Sequence, residues 1–298
     1  SQVPFVRHVA EYVLKNGGKR MRPILTMVCT KLLQGDAKKS YKMGSCVEFI
    51  HTASLLHDDV IDNAEIRRGQ PTTNTKWGNH VSVLVGDFFY CRASQLLTEQ
   101  GDLKILKIIT DCITATTEGE VLEIVKNADI NTRREDYLSI IKNKTALLLA
   151  AACQVGAILG GADEEQEHAI KDYGFNLGMA FQLADDILDY NSSEDVFGKA
   201  KGIDLQEGKL TLPLIVALRQ VNEEESQIIK MALDGKSLED DTFANVHAII
   251  NKYHGFEQTY ELAKEYIEKA KTALHSFDSS KEKDALIALA DYVIAREH

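Results

Sequence analysis

Proline is scarce in this 298-residue chain, with only Pro4, Pro23, Pro71 and Pro213 present, and no Pro/Gly/Ser-rich linker divides it. The absence of a tether argues for a single domain over residues 1–298. Period-2 apolar runs bounded by turn dipeptides are also missing, which argues against a sheet-based fold. The five cysteines (Cys29, Cys46, Cys91, Cys112 and Cys153) stand singly with no C-x-x-C pair. That pattern disfavours a disulfide framework or a cysteine zinc site and fits reduced core thiols. The formal charge of −11 leaves no basic face for nucleic acid. An anionic ligand must therefore be gripped by local basic clusters against the global field. Ser1–Gly18 holds no apolar core of the secretory-leader kind, so a cytoplasmic protein is expected. The run "ALLLAAACQVGAILGGA", Ala146–Ala162, carries no charge, but it is short for a membrane span and rich in small residues. It reads as a helix buried by its neighbours, and no transmembrane segment is expected.

What the chain does have is helix periodicity. "VRHVAEYVLKNGG" puts Val6, Val9, Ala10 and Val13 on one face and stops at Gly17-Gly18. "RPILTMVCTKLLQG" begins with Pro23 in a first turn and ends at Gly35. "KKSYKMGSCVEFIHTASLLHDDVID" runs on without a breaker, and similar segments follow to the C-terminus. The fold class expected is all-α, a bundle of ten or more mostly long helices. Two polar stretches, "NAEIRRGQPTTNTKWGN" and "NSSEDVFGKAKGIDLQEGKLTLP", read as long loops with a task.

Two helical segments end alike. "LLHDDVID" carries Asp58, Asp59 and Asp62, and "QLADDILD" carries Asp185, Asp186 and Asp189. Residues i and i+4 share a helix face, so each copy stacks like charges that repel. Burial sharpens the repulsion or protonates a carboxylate, and a cation beside each cluster relieves it. Oxygen-only donors select a hard ion, and Mg²⁺ fits best, since it is usually held by one or two carboxylates plus water and phosphate oxygens. A di-iron bundle needs two Glu-x-x-His motifs, and only Glu165–His168 is present, in a charged surface stretch.

Basic residues cluster as well. "NGGKRMRP" places Lys19, Arg20 and Arg22 after a Gly-Gly turn and before a helix start, a setting suited to phosphate. Arg67 and Arg68 follow Asp62 closely; Lys144, Lys199 and Lys209 add further charges, and His51 lies two turns before Asp58. Guanidinium pairs grip phosphate oxygens in bidentate fashion, and lysines act as mobile charges. Acidic clusters for a metal with basic clusters for phosphate describe a diphosphate site.

Taken in order, "GGKRMRP", "LLHDDVIDNAEIRRGQPT", "GDFFY", Lys144-Thr145, "FQLADDILDY" and "GKAKGIDLQEGKLTLP" make the chain resemble the trans-isoprenyl diphosphate synthases, the polyprenyl synthetase family, from Gly17 to Pro213. The resemblance implies a helical bundle around a deep cavity, homodimeric, with the two aspartate clusters opposed across its mouth. It implies Mg²⁺ held by Asp58, Asp62 and Asp185, with Asp59, Asp186 and Asp189 supporting. Arg67, Lys144, Thr145, Gln182 and Lys199 would bind an allylic diphosphate, with Lys209 in the same loop. Lys19, Arg22, His51 and Arg68 would bind isopentenyl diphosphate. The implied reaction is ionisation of the allylic C–O bond, attack by the isopentenyl double bond, and loss of a proton to the released pyrophosphate. The catalytic set it implies is Asp58, Asp62, Asp185, Lys144 and Lys199.

Ala53 and Ser54 lie about one turn ahead of Asp58. Short-chain family members commonly carry an aromatic there, so by the resemblance two small side chains imply elongation past the farnesyl stage, with a product of about C30–C45 expected. Ile105, Ile108, Ile109 and Ile113 are candidates for the floor that stops it. A peripheral membrane contact for product release is a further expectation. The rivals are a farnesyl or geranylgeranyl synthase, a terpene cyclase, and a non-catalytic subunit of a heteromeric synthase. Cyclases usually lack both a "DDILD"-type second cluster and the "GGKRMRP" site, and non-catalytic subunits tend to lose aspartates that here are all intact.

Overall fold

The computed structural model describes residues 2–16, 18–191, 202–234 and 240–295, and they are predominantly helical. In chain order come α1 (Pro4–Lys15), α2 (Met21–Leu32), α3 (Ala37–Ile61), a hairpin of β1 (Ile66–Arg67) and β2 (Gln70–Pro71), α4 (Thr73–Trp77), α5 (Asn79–Gln100), α6 (Leu103–Lys126) and α7 (Arg134–Ile141). A π-helical turn, Lys142–Ala146, leads into α8 (Leu147–Gly160), and α9 (Glu164–Asn191) follows. Helices Ile203–Gln206, Leu212–Leu218, Glu223–Leu233, Asp240–Lys252, Gly255–Ala273 and Lys281–Ala295 complete the order.

The chain divides into two compact units. The first is drawn mainly from Ser1–Ile113 and Ala151–Glu167, the second from Thr114–Ala150, His168–Val196 and Ala200–His298. In the first, Val9, Ala53, Leu56, Val85 and Phe89 form a buried cluster that joins α1, α3 and α5. In the second, the core runs from Tyr137 and Ile141 through Met179, Leu183 and Tyr190 to Leu214, Val246 and Ala263.

Helix α3 explains where the first aspartates sit. Asp36 caps its start by accepting from the Lys38 N–H at 2.9 Å. The segment then runs unbroken for 25 residues, carrying Asp58 and Asp59 in its last turn, with Asp62 as C-cap. Helix α9 does the same for the second cluster.

Two local features depart from the sequence reading. The first polar loop contains the β1–β2 hairpin, in register Ile66↔Pro71 and Arg67↔Gln70. Its two-residue turn has positive φ at Arg68 (54°) and Gly69 (72°), the type I′ signature, and strands this short display no period to read. Between α7 and α8 the helical path takes a π turn at Lys142–Ala146, a local insertion common at functional sites that the residue pattern does not announce.

Arg134–Gly160 is long and apolar enough to cross a membrane by length and composition alone. Its small-residue half has another explanation. An added Cβ on Gly156 would lie 2.4 Å from the Thr26 carbonyl oxygen, and Thr30 Oγ1 donates to the Gly156 carbonyl at 3.0 Å. The small side chains are what lets α8 lie directly on α2. We therefore expect Gly156→Ala to force these helices apart and lower stability by about 1–3 kcal/mol, read as a shift of the denaturant midpoint.

Candidate active site

In the first unit the "NGGKRMRP" stretch and the hairpin meet. An added Cβ on Gly18 would sit 2.6 Å from Arg68 Nη1, so the Gly18 backbone provides the room for that guanidinium. Arg20, in the left-handed region at φ 51°, donates from Nη1 to Glu48 Oε1 and from Nη2 to the Leu14 carbonyl. Arg20 is thereby committed to the scaffold. A cavity of about 60 Å³ is lined by His51, Asp59, Arg20, Glu48, Arg67 and Arg68, among others.

His51 is half-buried, and burial followed by the fields of Arg22, Arg68, Arg67 and Arg20 pushes its imidazole well below the ordinary value. It is neutral at physiological pH and can donate or accept a hydrogen bond without adding charge. Burial, then Arg67 and Arg20, likewise lowers Arg68. Crowded cations of this kind are stabilised by an anion between them. Lys19 is exposed at the start of the same stretch, and Arg22 is half-buried on α2.

The carboxylates divide into two kinds. Asp59 is buried and accepts from Arg67 Nε at 2.7 Å. Burial raises its pKa, against the opposing pull of Arg67. Asp58 and Asp62 are half-buried at the same helix end. In the second unit Asp186 is buried, with Oδ2 accepting from Tyr137 Oη at 2.5 Å and Oδ1 from Gln182 Nε2 at 2.8 Å. Thr145 Oγ1 donates to Gln182 Oε1 at 2.9 Å, which extends the chain to the π turn. Asp189 accepts from the backbone N–H of Ile203 and of Asp204, each at 3.2 Å, and so ties the short helix Ile203–Gln206 to α9. Asp185 is half-buried.

A second cavity, of about 150 Å³, is lined by Lys144, Thr145, Gln182, Asp186, Asp204, Lys209 and Thr211, among others. Burial raises Asp186 to about 7, opposed by Tyr137 and Gln182 and reinforced by Asp185 and Asp189. Burial, followed by the fields of Asp189 and Asp186, pushes Asp204 well above the usual range. Burial is the main cause in both, and the neighbouring carboxylates add to it.

The donor set fits a hard divalent cation. Among the described residues no three His, Cys, Asp or Glu side chains converge as a ready-made cage. Mg²⁺ rarely needs one, because it keeps waters and shares phosphate oxygens. Lys144 contacts Glu120 Oε2 at 2.7 Å and also Glu123. Lys209 pairs with Glu207 at 2.7 Å. Lys199 lies outside the described residues.

Of the expected residues, His51, Arg67, Arg68 and Asp59 share the first cavity, and Lys144, Thr145, Gln182, Asp186 and Lys209 share the second. The sequence reading had no place for Tyr137, Glu120 or Glu123. Tyr137 is one aromatic in an amphipathic helix, and nothing local marks it as the donor to Asp186. The glutamates, at i and i+3 in "TEGEVLEIVK", read as an exposed charged face.

Aspartates at helix ends beside an arginine-lined pocket are the features of a diphosphate-handling protein. The chain belongs to the polyprenyl synthetase family, whose model matches residues 3–250. It is 41% identical over 300 residues to an octaprenyl diphosphate synthase of Haemophilus influenzae, covering 100% of this chain and 90% of that protein. The octaprenyl diphosphate synthase of Escherichia coli is 39% identical, with 100% and 92% covered. Among solved structures, a polyprenyl synthase from Caulobacter crescentus, in complex with calcium and isoprenyl diphosphate, superposes with a TM-score of 0.94. It is 40% identical, with 100% of this chain and 91% of that chain covered. A decaprenyl diphosphate synthase from Rhodobacter capsulatus gives 0.93 at 38% identity, with 99% and 91% covered.

Removing the Tyr137 hydroxyl leaves a buried carboxylate short of a donor. Tyr137→Phe is expected to cost about 1–3 kcal/mol of stability, measured by chemical denaturation. An unchanged midpoint would mean that the hydroxyl contributes nothing to holding Asp186.

Proposed function

We propose that this chain is an all-trans polyprenyl diphosphate synthase, a prenyltransferase that condenses isopentenyl diphosphate onto an allylic diphosphate primer to give products longer than the farnesyl stage. The observation that carries the reading is the division of labour within each aspartate cluster. One buried carboxylate is pinned by a protein donor (Asp59 by Arg67, Asp186 by Tyr137 and Gln182), and half-buried partners stand beside it. That arrangement suits a site that takes up metal together with its diphosphate. Magnesium fits the oxygen donors, with Asp58, Asp62 and Asp185 as ligands and Asp59, Asp186 and Asp189 holding the helix ends around them. Bound Mg²⁺ would supply Lewis-acid stabilisation of the charge on the departing diphosphate.

The chain's own residues supply the rest. Arg67, Lys144, Thr145, Gln182 and Lys199 bind the allylic diphosphate, with Lys209 alongside, so that charge building on the leaving group meets fixed cations. Lys19, Arg22, His51 and Arg68 hold isopentenyl diphosphate, and neutral His51 offers a hydrogen bond where a further cation would meet only repulsion. The double bond attacks the allylic carbon, and the proton lost passes to the released pyrophosphate.

Ala53 is wholly buried against Val9, Leu56, Val85 and Phe89, and Ser54 is half-buried with its hydroxyl on the His51 carbonyl at 2.9 Å. Small side chains one turn before Asp58 favour a long product. Ile105 and Ile109, both buried, remain candidates for its floor. A homodimer belongs to the same reading, supported by the exposed stripe Val121, Ile124 and Val125 on α6. The family model's span, which takes in residues of both units, supports one domain for the whole chain. A cytoplasmic setting agrees with the free cysteines. A peripheral membrane contact would serve release of so apolar a product.

The test is incubation with farnesyl diphosphate, labelled isopentenyl diphosphate and Mg²⁺, with the products sized by chromatography. Asp58→Ala is expected to lose about 10²–10³ in turnover; near-normal turnover would contradict its role as ligand. Ala53→Tyr is expected to shorten the products, and an unchanged length distribution would remove this residue from chain-length control.

A further inference from the structure

The ammonium of Lys144 is held from an unexpected side. Glu120 and Glu123 stand at i and i+3 on α6 and so share a face. Both reach Lys144 Nζ, Glu120 at 2.7 Å. All three side chains are largely shielded, with exposures of 21%, 18% and 23% for Lys144, Glu120 and Glu123. The approach is built into the backbone. An added Cβ on Gly119 would lie 2.8 Å from Asn143 Cβ and 3.1 Å from Lys144 Cγ, so α6 closes on the π turn only because that position is glycine. The π turn presents Lys144 and Thr145 as consecutive residues lining one cavity.

Two carboxylates around one lysine leave a net negative charge. As a device for attracting a diphosphate the pair would be counterproductive, since it repels the same anion. As a device for aiming, it works. An ammonium has three N–H donors in fixed tetrahedral directions. Holding two of them on Glu120 and Glu123 fixes where the third points.

We propose that Glu120 and Glu123 are positioning residues for Lys144, orienting its ammonium toward the diphosphate oxygens as the allylic C–O bond breaks. This rests on the allylic-diphosphate role given to Lys144 above. The pair also keeps the lysine charged. Burial alone would lower its pKa, and the two carboxylates outweigh burial and raise it. The other charged groups lining the cavity are Lys126 on α6, Asp186 on α9, and Asp204 and Lys209 beyond α9. Lys126 is compensated by Asp129 and Asp136, and Lys209 by Glu207. None of these groups is replaced in the variants below, so the alkaline limb is compared with the rest of the cavity lining held constant.

The experiment measures kcat, KM for farnesyl diphosphate and the pH–rate profile of the wild type, Glu120→Gln/Glu123→Gln and Glu120→Asp/Glu123→Asp, with folding checked by circular dichroism. In the Gln variant kcat is expected to fall at least about tenfold through misplacement of the cation. KM for farnesyl diphosphate is expected not to rise, because two repelling charges are gone. The alkaline limb is expected at lower pH, since without the carboxylates burial draws the lysine pKa down and the protonated form is lost sooner. The Asp variant, which keeps the charge, is expected to hold the limb near its wild-type position. If the double Gln variant fails to fold, Glu120→Gln and Glu123→Gln singly carry the same expectations in smaller measure. Folded Gln variants with wild-type kcat and an unmoved alkaline limb would overturn the proposal, as would a defect confined to a higher KM. A wild type that makes no product from these substrates would instead overturn the functional reading beneath it.

Discussion

Carboxylates one helical turn apart repel, and the site depends on how that repulsion is contained. Burying such a group without a partner would protonate it or unwind the turn. The protein offsets part of that cost by giving the most buried member of each cluster a donor of its own. Asp59 takes the Arg67 guanidinium, and Asp186 takes a phenol and an amide. Asp189 is absorbed into the backbone of the following turn. The geometry of each helix end is thus set before any ligand arrives. Burial, with smaller contributions from the neighbouring carboxylates, raises Asp186 and Asp204, and a divalent ion would favour their charged forms.

The cations obey a complementary logic. With a net charge of −11, long-range attraction cannot deliver an anion, so the positive charge is concentrated locally and partly desolvated. The cavity beside His51 gathers Arg20, Arg67 and Arg68, and burial followed by the fields of the neighbouring arginines lowers the pKa of Arg68 and of the imidazole. Glu48 anchors Arg20, and the tight turn at Arg68 and Gly69 places the next two guanidiniums. In the second unit Lys144 and Lys209, the described lysines expected at the site, are each tethered to acids.

Much of this was legible in the sequence, because it is carried by local periodicity. The stretch from Ala37 to Ile61, free of helix breakers, reads as a helix ending in aspartates, and it is one. The Gly-Gly-Lys-Arg stretch and the Arg-Arg pair read as basic clusters, and the structure brings Gly18 and Arg68 together. What could not be read was non-local or too short to show a period. The hairpin has two-residue strands, and the π turn changes the hydrogen-bonding register without changing the residue pattern. Tyr137 lies 49 residues from Asp186, and the glutamates that hold Lys144 look from sequence like a solvated face. Side-chain partners across such distances are set by packing, which no spacing rule encodes.

The central claim is that the aspartate turns take up divalent metal as a joint act with the diphosphate. Manganese is a spectroscopically visible substitute for magnesium, and an unreactive thiolo analogue of farnesyl diphosphate can stand in for the primer. Titration of Mn²⁺ by electron paramagnetic resonance, with and without that analogue, tests the claim directly. The account predicts weak binding of the ion alone and tight binding once the analogue is present. Equally tight binding in its absence, or none in its presence, would contradict it.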